Sequence, residues 1–328
     1  DGNAVRGLEF PGAAAAILLI AYICIGVWSL ILLRDRSRDG LYVSQWYLLT
    51  AFLCFPWLYA TANMLLIWYP VQGSAQGPIA SWFFGALVWL WLTPLVLGAV
   101  YYLVPHFAQR PVRAYPSSVL AFWLLAFFGG WMGVRQLIGG PVPAWMVSAS
   151  VAASIMMLIP ATIIAINTFG TLSARTTPHT PDVLFTIVGL ACFVCAVLQG
   201  AATPVLVVVT HFSDYTRGEH VMLLLGFLSM ALFGAFYYVV PRLTGVDLSS
   251  RYVPWHFWPF VWGVGTMFVC LSLGGLIQGF ALNDLNVNFM SSLSLVFPFR
   301  VMNALGAVAV FTGTIAFSIV FVRNLLDA

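Results

Sequence analysis

No lysine occurs among the 328 residues: all 13 basic residues are arginine, set against 10 acidic ones. Charged residues of either sign make up only 7% of the chain. Soluble domains carry roughly a quarter, so this scarcity excludes a water-soluble globular protein and a disordered chain. A net charge of +3 is too small to argue for a nucleic-acid partner. Five cysteines, Cys24, Cys54, Cys192, Cys195 and Cys270, are too few and too scattered for a disulfide scaffold. They fall inside apolar runs and read as buried small hydrophobes; Cys192 and Cys195 form a C-x-x-C pair, but a thiolate site wants a second pair that is missing.

Apolar sequence fills the space: 62% of residues are hydrophobic and 16% aromatic, with a mean hydropathy of +0.97. A transmembrane helix needs about 20 such residues in a row. About nine runs qualify, near 13–33, 46–69, 81–104, 118–138, 147–169, 183–209, 220–240, 256–280 and 300–322. None alternates with period two, so they read as helices and not as strands of a barrel. Pro56, Pro70, Pro105, Pro116, Pro141, Pro181, Pro241, Pro254 and Pro298 are read as punctuating helix ends. Connections of about 10 to 20 residues leave no room for a soluble domain. The expectation is one all-α integral membrane domain over 1–328, a polytopic bundle in contact with lipids.

Arginine placement predicts the orientation. Arg34, Arg36, Arg38, Arg110, Arg113, Arg175, Arg242 and Arg251 follow odd-numbered helices, and Arg323 follows the last. Arg6, Arg135, Arg217 and Arg300 fall on the other side. The positive-inside rule then puts the N-terminus outside and the C-terminus in the cytoplasm, as in a bacterial inner membrane. The chain starts at Asp1 and not at Met, consistent with a cleaved signal or with a start late in a longer chain, and what remains shows no signal-peptide pattern. Tyr101-Tyr102-Leu103-Val104-Pro105 and Tyr237-Tyr238-Val239-Val240-Pro241 echo each other, and read as an aromatic belt at two helix ends.

Chemistry-bearing residues are sparse. No Asp, Glu, Lys or His stands mid-helix, which disfavours an ion carrier. Asn63, Thr162, Asn167, Gln199, Gln278 and Asn303 are the polar residues at depth, expected to bond neighbouring helices. Of five histidines, His106, His179 and His256 read as interfacial surface residues; His211 and His220 flank the start of the seventh helix. Gly129 with Gly133, and Gly275 with Gly279, form G-x-x-x-G spacings suited to close helix contact.

Several runs together resemble a known family. Residues 101–111 read Y-Y-L-V-P-H-F-A-Q-R-P, followed by Phe122-Trp123; 210–218 read T-H-F-S-D-Y-T-R-G; 237–245 read Y-Y-V-V-P-R-L-T-G; 301–306 read V-M-N-A-L-G. They are similar to Y-Y-F-V-P-K-Q-A-G-R-P, S-H-Y-T-D-W-T-I-G, Y-Y-L-I-P-R-L-F-G and V-I-R-A-L-G of the catalytic subunit (subunit I) of cbb-type haem–copper oxidases, relatives of nitric oxide reductases. The likeness runs from about Tyr42 onward and implies the last nine of the family's twelve helices. It also implies where cofactors would be held, and there the chain departs. The W-Y-G-H copper histidine becomes Gly85 after Trp82-Phe83-Phe84, the copper histidine pair becomes Arg135 and Gln136, and the redox tyrosine becomes Gly129. G-H-V-H-S, which binds both haems, becomes Gly218-Glu219-His220-Val221-Met222, so Glu219 and Val221 take the ligand positions. One residue is about 100° around a helix, which turns His220 away from both haems. The propionate arginine becomes Asn303.

The resemblance therefore implies a haem-less, copper-less pseudo-oxidase, a pseudo-enzyme with no catalytic residues or cofactors of its own. Its function would be that of a structural or docking subunit in a larger respiratory electron-transport complex, beside a membrane-anchored c-type cytochrome. The alternatives are a divergent oxidoreductase holding one haem b through His211 or His220, and a carrier, channel or quinone-binding module. Phe and Trp side chains are expected to fill the vacated haem space, with close approach at Gly85 and Gly129. The third, fourth and seventh helices are expected to be neighbours. Arg135 and Glu219 are expected to pair as a structural polar clasp, with Gln136 or Asp214 as a further partner, because a buried charge costs several kcal/mol unless paired. Arg135→Leu should accordingly destabilise the protein more than the double change with Glu219→Leu, measured by thermal unfolding in detergent.

Overall fold

The computed structural model describes residues 5–34, 40–172, 180–245, 248 and 252–326. Arg36, Arg38, Arg175, Arg251 and His179 lie outside the described residues. Among the described residues, nine helices are long and apolar enough to cross a membrane. They are α1 (Gly12–Arg34), α2 (Val43–Trp68), α3 (Gly73–Ala108), α4 (Tyr115–Leu137), α5 (Ala144–Thr171), α6 (Pro181–Val205), α7 (Tyr215–Thr244), α8 (Val253–Asn283) and α9 (Phe289–Arg323). In lipid a backbone amide left unbonded costs several kcal/mol, so the chain stays helical wherever it can.

That constraint corrects the expected boundaries. The connections shrink, to residues 69–72 between α2 and α3 and 284–288 between α8 and α9. Pro56, Pro105, Pro241 and Pro298 lie inside helices and do not end them. Consequently the Tyr-Tyr pairs are not belts at helix ends. Tyr101 is fully buried and stacks on Tyr47 at 5.5 Å, and Tyr237 and Tyr238 are both buried; only Tyr102 is exposed. The sixth run breaks at Leu206, whose ψ of 21° is not helical, and α7 begins at Tyr215. Three helices contain π-helical segments: Met64–Trp68 in α2, Leu87–Leu92 in α3 and Met222–Ser229 in α7.

The chain divides into two compact units, residues 1–102 with 111–168, and residues 103–110 with 169–328. In the first unit, Phe55, Leu58, Tyr59 and Leu66 of α2 pack with Phe83, Ala86 and Leu90 of α3, and with Leu8 and Ala15. Ser44 donates to the Gly98 carbonyl at 2.7 Å, tying α2 to α3. Asn167 of α5 donates to Ser118 at 2.8 Å and Ser117 at 2.9 Å, which fastens α5 to the start of α4.

In the second unit, α6 packs on α7 and α8 on α9 through glycines. A Cβ on Gly189 would lie 2.9 Å from the Ala231 nitrogen, and one on Gly306 would lie 2.8 Å from Met267 Cγ. Such contacts are what small residues permit between membrane helices. Gly275 and Gly279 do make the expected close contact, against Tyr215 and Val209. At the end of α5, Arg110 donates to the Thr171 and Gly170 carbonyls, satisfying orphan acceptors of a helix C-terminus. Arg242 donates to the Tyr238 carbonyl and lies 3.5 Å over the Tyr238 ring.

The cysteines are free, as expected, but they are not buried. Cys24 and Cys195 are exposed on helix faces and the others are half-buried. Two neighbouring glycines provide a test of the packing. A Cβ on Gly263 would lie 2.6 Å from the Gly306 carbonyl oxygen, whereas one on Gly265 meets nothing within 4 Å. Gly263→Ala should cost about 1–3 kcal/mol in detergent unfolding, while Gly265→Ala should leave stability unchanged or slightly raised.

Candidate functional site

In the first unit, the sequence positions singled out for a copper centre sit where α3 meets the end of α4. The α-helical part of α4 stops at Gly129 and a single tight turn, Val134–Leu137, follows. Gly133 in the break has φ +108°, a conformation that glycine adopts without strain. That turn lays the α4 backbone directly on α3. A Cβ added to Gly85 would meet the Met132 carbonyl group, 2.6 Å from its carbon, and lie 2.8 Å from Gly133 Cα. A Cβ on Gly129 would lie 3.1 Å from Trp89 Cβ. Trp89 belongs to the π segment that starts two residues after Gly85. Trp82 donates its indole N–H to the Gly130 carbonyl at 3.1 Å.

The expected close approach at Gly85 and Gly129 is therefore present, made by backbone at Gly85 and by a tryptophan at Gly129. Gly133 takes part from the break after the helix, so Gly129 and Gly133 do not share a helix face. Arg135 is buried and its backbone N–H donates to Ser150 Oγ at 3.0 Å; Gln136 is exposed.

In the second unit, α7 opens with a buried carboxylate on each side of its first turn. Asp214, 7% exposed, accepts from Arg217 at 2.7 Å and from Arg300 of α9 at 3.2 Å. Its backbone N–H donates to Gln278 of α8 at 3.1 Å. Two arginines hold Asp214, as a carboxylate so little exposed requires. Glu219 is buried, with the Thr203 hydroxyl 3.5 Å from its Oε2. Gln199 of α6 donates to the Tyr215 carbonyl at 2.8 Å and to Ser272 at 3.1 Å. Val221 and His220 are half-buried, and the π segment of α7 starts immediately after Val221. His211 lies outside the long helices with its ring against Phe212 at 4.3 Å.

The amides at depth divide. Asn167, Gln199 and Gln278 bond other elements, as expected. Asn63 bonds its own helix, at the Tyr59 carbonyl, and Thr162 is exposed. Asn303 Oδ1 is buried without a hydrogen-bond partner among the described residues.

One expectation fails outright. His256 is no surface residue: it is 0% exposed, with Nδ1 3.0 Å from the Tyr237 hydroxyl. Placing the helix start at 256 put this histidine at an edge, whereas α8 begins at Val253. The available signal was the run Trp255-His256-Phe257-Trp258, which has no polar neighbour to hold an imidazole in water.

These features define a polytopic membrane bundle of the oxidase subunit I kind. Residues 5–309 match the family of Cytochrome C and Quinol oxidase polypeptide I, and the chain belongs to that family. It is 27% identical over 322 residues to the cytochrome c oxidase subunit 1 homolog of Agrobacterium tumefaciens, covering 91% of this chain and 59% of that protein. It is 28% identical over 324 residues to the Cbb3-type cytochrome c oxidase subunit CcoN1 of Stutzerimonas stutzeri, covering 93% of this chain and 68% of that one. The subunit 1 of Rhodobacter capsulatus is 25% identical over 324 residues, with 91% and 59% covered. The chain thus spans about three fifths of the length of several relatives that it matches.

At the positions where the resemblance implies cofactor ligands, the residues present are poor ligands for those groups. Haem iron takes His, Cys, Met or Tyr ligands, and copper takes imidazole or sulfur. Gly85, Gly129 and Val221 offer no donor, Arg135 offers only a cation, Gln136 is exposed, and Glu219 offers a carboxylate in place of an imidazole. At Gly85 even a methyl group would meet backbone. Gly85→Ala should therefore cost about 1–3 kcal/mol and Gly85→His more, whereas Gly12→Ala, in open space, should be neutral; thermal unfolding in detergent measures all three.

Proposed function

We propose that this chain is a pseudo-oxidase subunit: a haem-less and copper-less member of its family that serves as a structural and docking component of a larger membrane redox complex. The observation that carries this reading is the contact at Gly85. A copper ligand there would need a side chain where the Met132 and Gly133 backbone stands, 2.6 and 2.8 Å from a first added carbon. Backbone cannot swing aside as a side chain can, so the contact opposes the ligand as firmly as the missing imidazole does. Retention of the helices and their glycine contacts supports a scaffold role, since a bundle that only spans lipid would not need such close packing.

The relatives are named as cytochrome c oxidase subunits, which supports a redox assembly as the setting. The proposed setting is a bacterial inner membrane, and the arginine asymmetry supports an N-terminus outside and a C-terminus in the cytoplasm. The outer ends of the helices would then face a membrane-anchored c-type cytochrome, with other membrane subunits and lipid around the bundle.

Purification from native membranes tests the reading. The expected result is co-purification of other redox subunits, and no stoichiometric haem or Soret band for this chain once separated from them. A stoichiometric Soret band from the isolated chain would overturn the proposal in favour of an active haem b oxidoreductase using His211 or His220. Stoichiometric quinone in a solvent extract would favour a quinone-binding module instead.

A further inference from the structure

The second unit holds a buried acid–base pair that the docking reading does not use. Tyr237 lies in α7 and His256 in the first turn of α8, and the phenol oxygen is 3.0 Å from Nδ1. Aromatic rings from all four long helices of the unit surround the imidazole. Phe185 of α6 is at 4.6 Å, Phe233 of α7 at 4.4 Å, Phe260 of α8 at 6.0 Å and Phe317 of α9 at 5.1 Å, centroid to centroid. Phe233 and Phe260 stand nearly perpendicular to the imidazole, at 89° and 88°. His256 Nε2 has no hydrogen-bond partner among the described residues.

The tautomer follows from counting donors. If Nδ1 carried the hydrogen and donated to Tyr237, the phenol hydrogen and the bare Nε2 would both be stranded in an apolar site. If the phenol donates to a bare Nδ1, only the Nε2–H lacks a hydrogen-bond acceptor, and a ring face can receive it weakly. The second arrangement strands fewer polar groups. Tyr237 is therefore a phenol aimed at the lone pair of a base. The hydroxyl of Tyr47, by contrast, finds no hydrogen-bond partner among the described residues.

Electron loss alone would leave a phenol radical cation, a far stronger acid than imidazolium, so a base in contact takes its proton. The phenol can lose an electron and a proton together where a base is already in contact. The new imidazolium would sit among phenyl faces, which attract a cation. We propose that Tyr237 and His256 form a proton-coupled redox pair. One electron passes from the phenol to a high-potential one-electron oxidant. The O–H bond of Tyr237 breaks and an N–H bond forms at His256 Nδ1, leaving a neutral phenoxyl radical beside an imidazolium. One-electron reduction returns the proton to the phenol oxygen. Only the physiological source of the oxidant rests on the docking reading, namely the surrounding redox complex; the pair itself is a property of this chain.

The test supplies its own oxidant, so its failure is separate from failure of the docking reading. The purified full chain in lipid nanodiscs is flash-oxidised with photogenerated tris-bipyridyl ruthenium(III), with persulfate as the terminal acceptor, and frozen for electron paramagnetic resonance. The expected result is a tyrosyl signal, identified by narrowing on ring-deuterated tyrosine, that falls at least about fivefold in Tyr237→Phe and persists in Tyr47→Phe. His256→Phe, which fills the space but removes the base, should lower the yield comparably and abolish its dependence on D2O. Should that variant fail to fold, His256→Asn, which keeps an acceptor but no base, should give the same loss. A signal unchanged in Tyr237→Phe, a tryptophanyl signal alone, no radical at all, or a yield indifferent to both His256 changes would each overturn the pair.

Discussion

Backbone lying on backbone at glycine is the contact on which both units depend. Lipid removes the hydrophobic drive that presses soluble helices together, so the remaining attraction is dispersion, which needs atoms at contact distance. Gly85 against Gly133 in the first unit, and Gly263 against Gly306 in the second, bring helix backbones closer than any side chain allows. At Gly85 the same contact has a chemical consequence. The position where the resemblance implies a metal ligand is here part of the packing, so any side chain there would compete with the Met132 and Gly133 backbone for one volume.

Charge follows a second rule. Several of the polar groups buried in each unit are bonded across helices. Asp214 is held by Arg217, Arg300 and Gln278 across α7, α8 and α9. Asn167 gathers Ser117 and Ser118 at the start of α4. His256 is the exception in kind, a base among phenyl rings with a single bond to Tyr237. The π segments add a local irregularity, one beginning two residues after Gly85 and one immediately after Val221. Insertions of this sort often mark functional positions in helices, and both lie beside positions where the resemblance implies ligands.

Composition alone determined that the chain is a helical membrane protein, because 7% charge cannot solvate a surface. Run length determined the number of long helices among the described residues, and the motifs around Tyr101, Asp214 and Tyr237 determined the family. Which side chains face inward was decided by tertiary structure. Soluble helices announce their buried face by a polar stripe on the other side; lipid accepts apolar residues on every side, so Cys24, Tyr101 and His256 looked alike in the sequence. The prolines misled for a related reason. Without water to compete for freed carbonyls, a helix continues through Pro56, Pro105, Pro241 and Pro298, and the Tyr-Tyr pairs lie inside it. The sequence also determined that Gly85 lacks a ligand atom. That a side chain there would meet the backbone of Met132 and Gly133, nearly 50 residues further along the chain, was decided only by the fold.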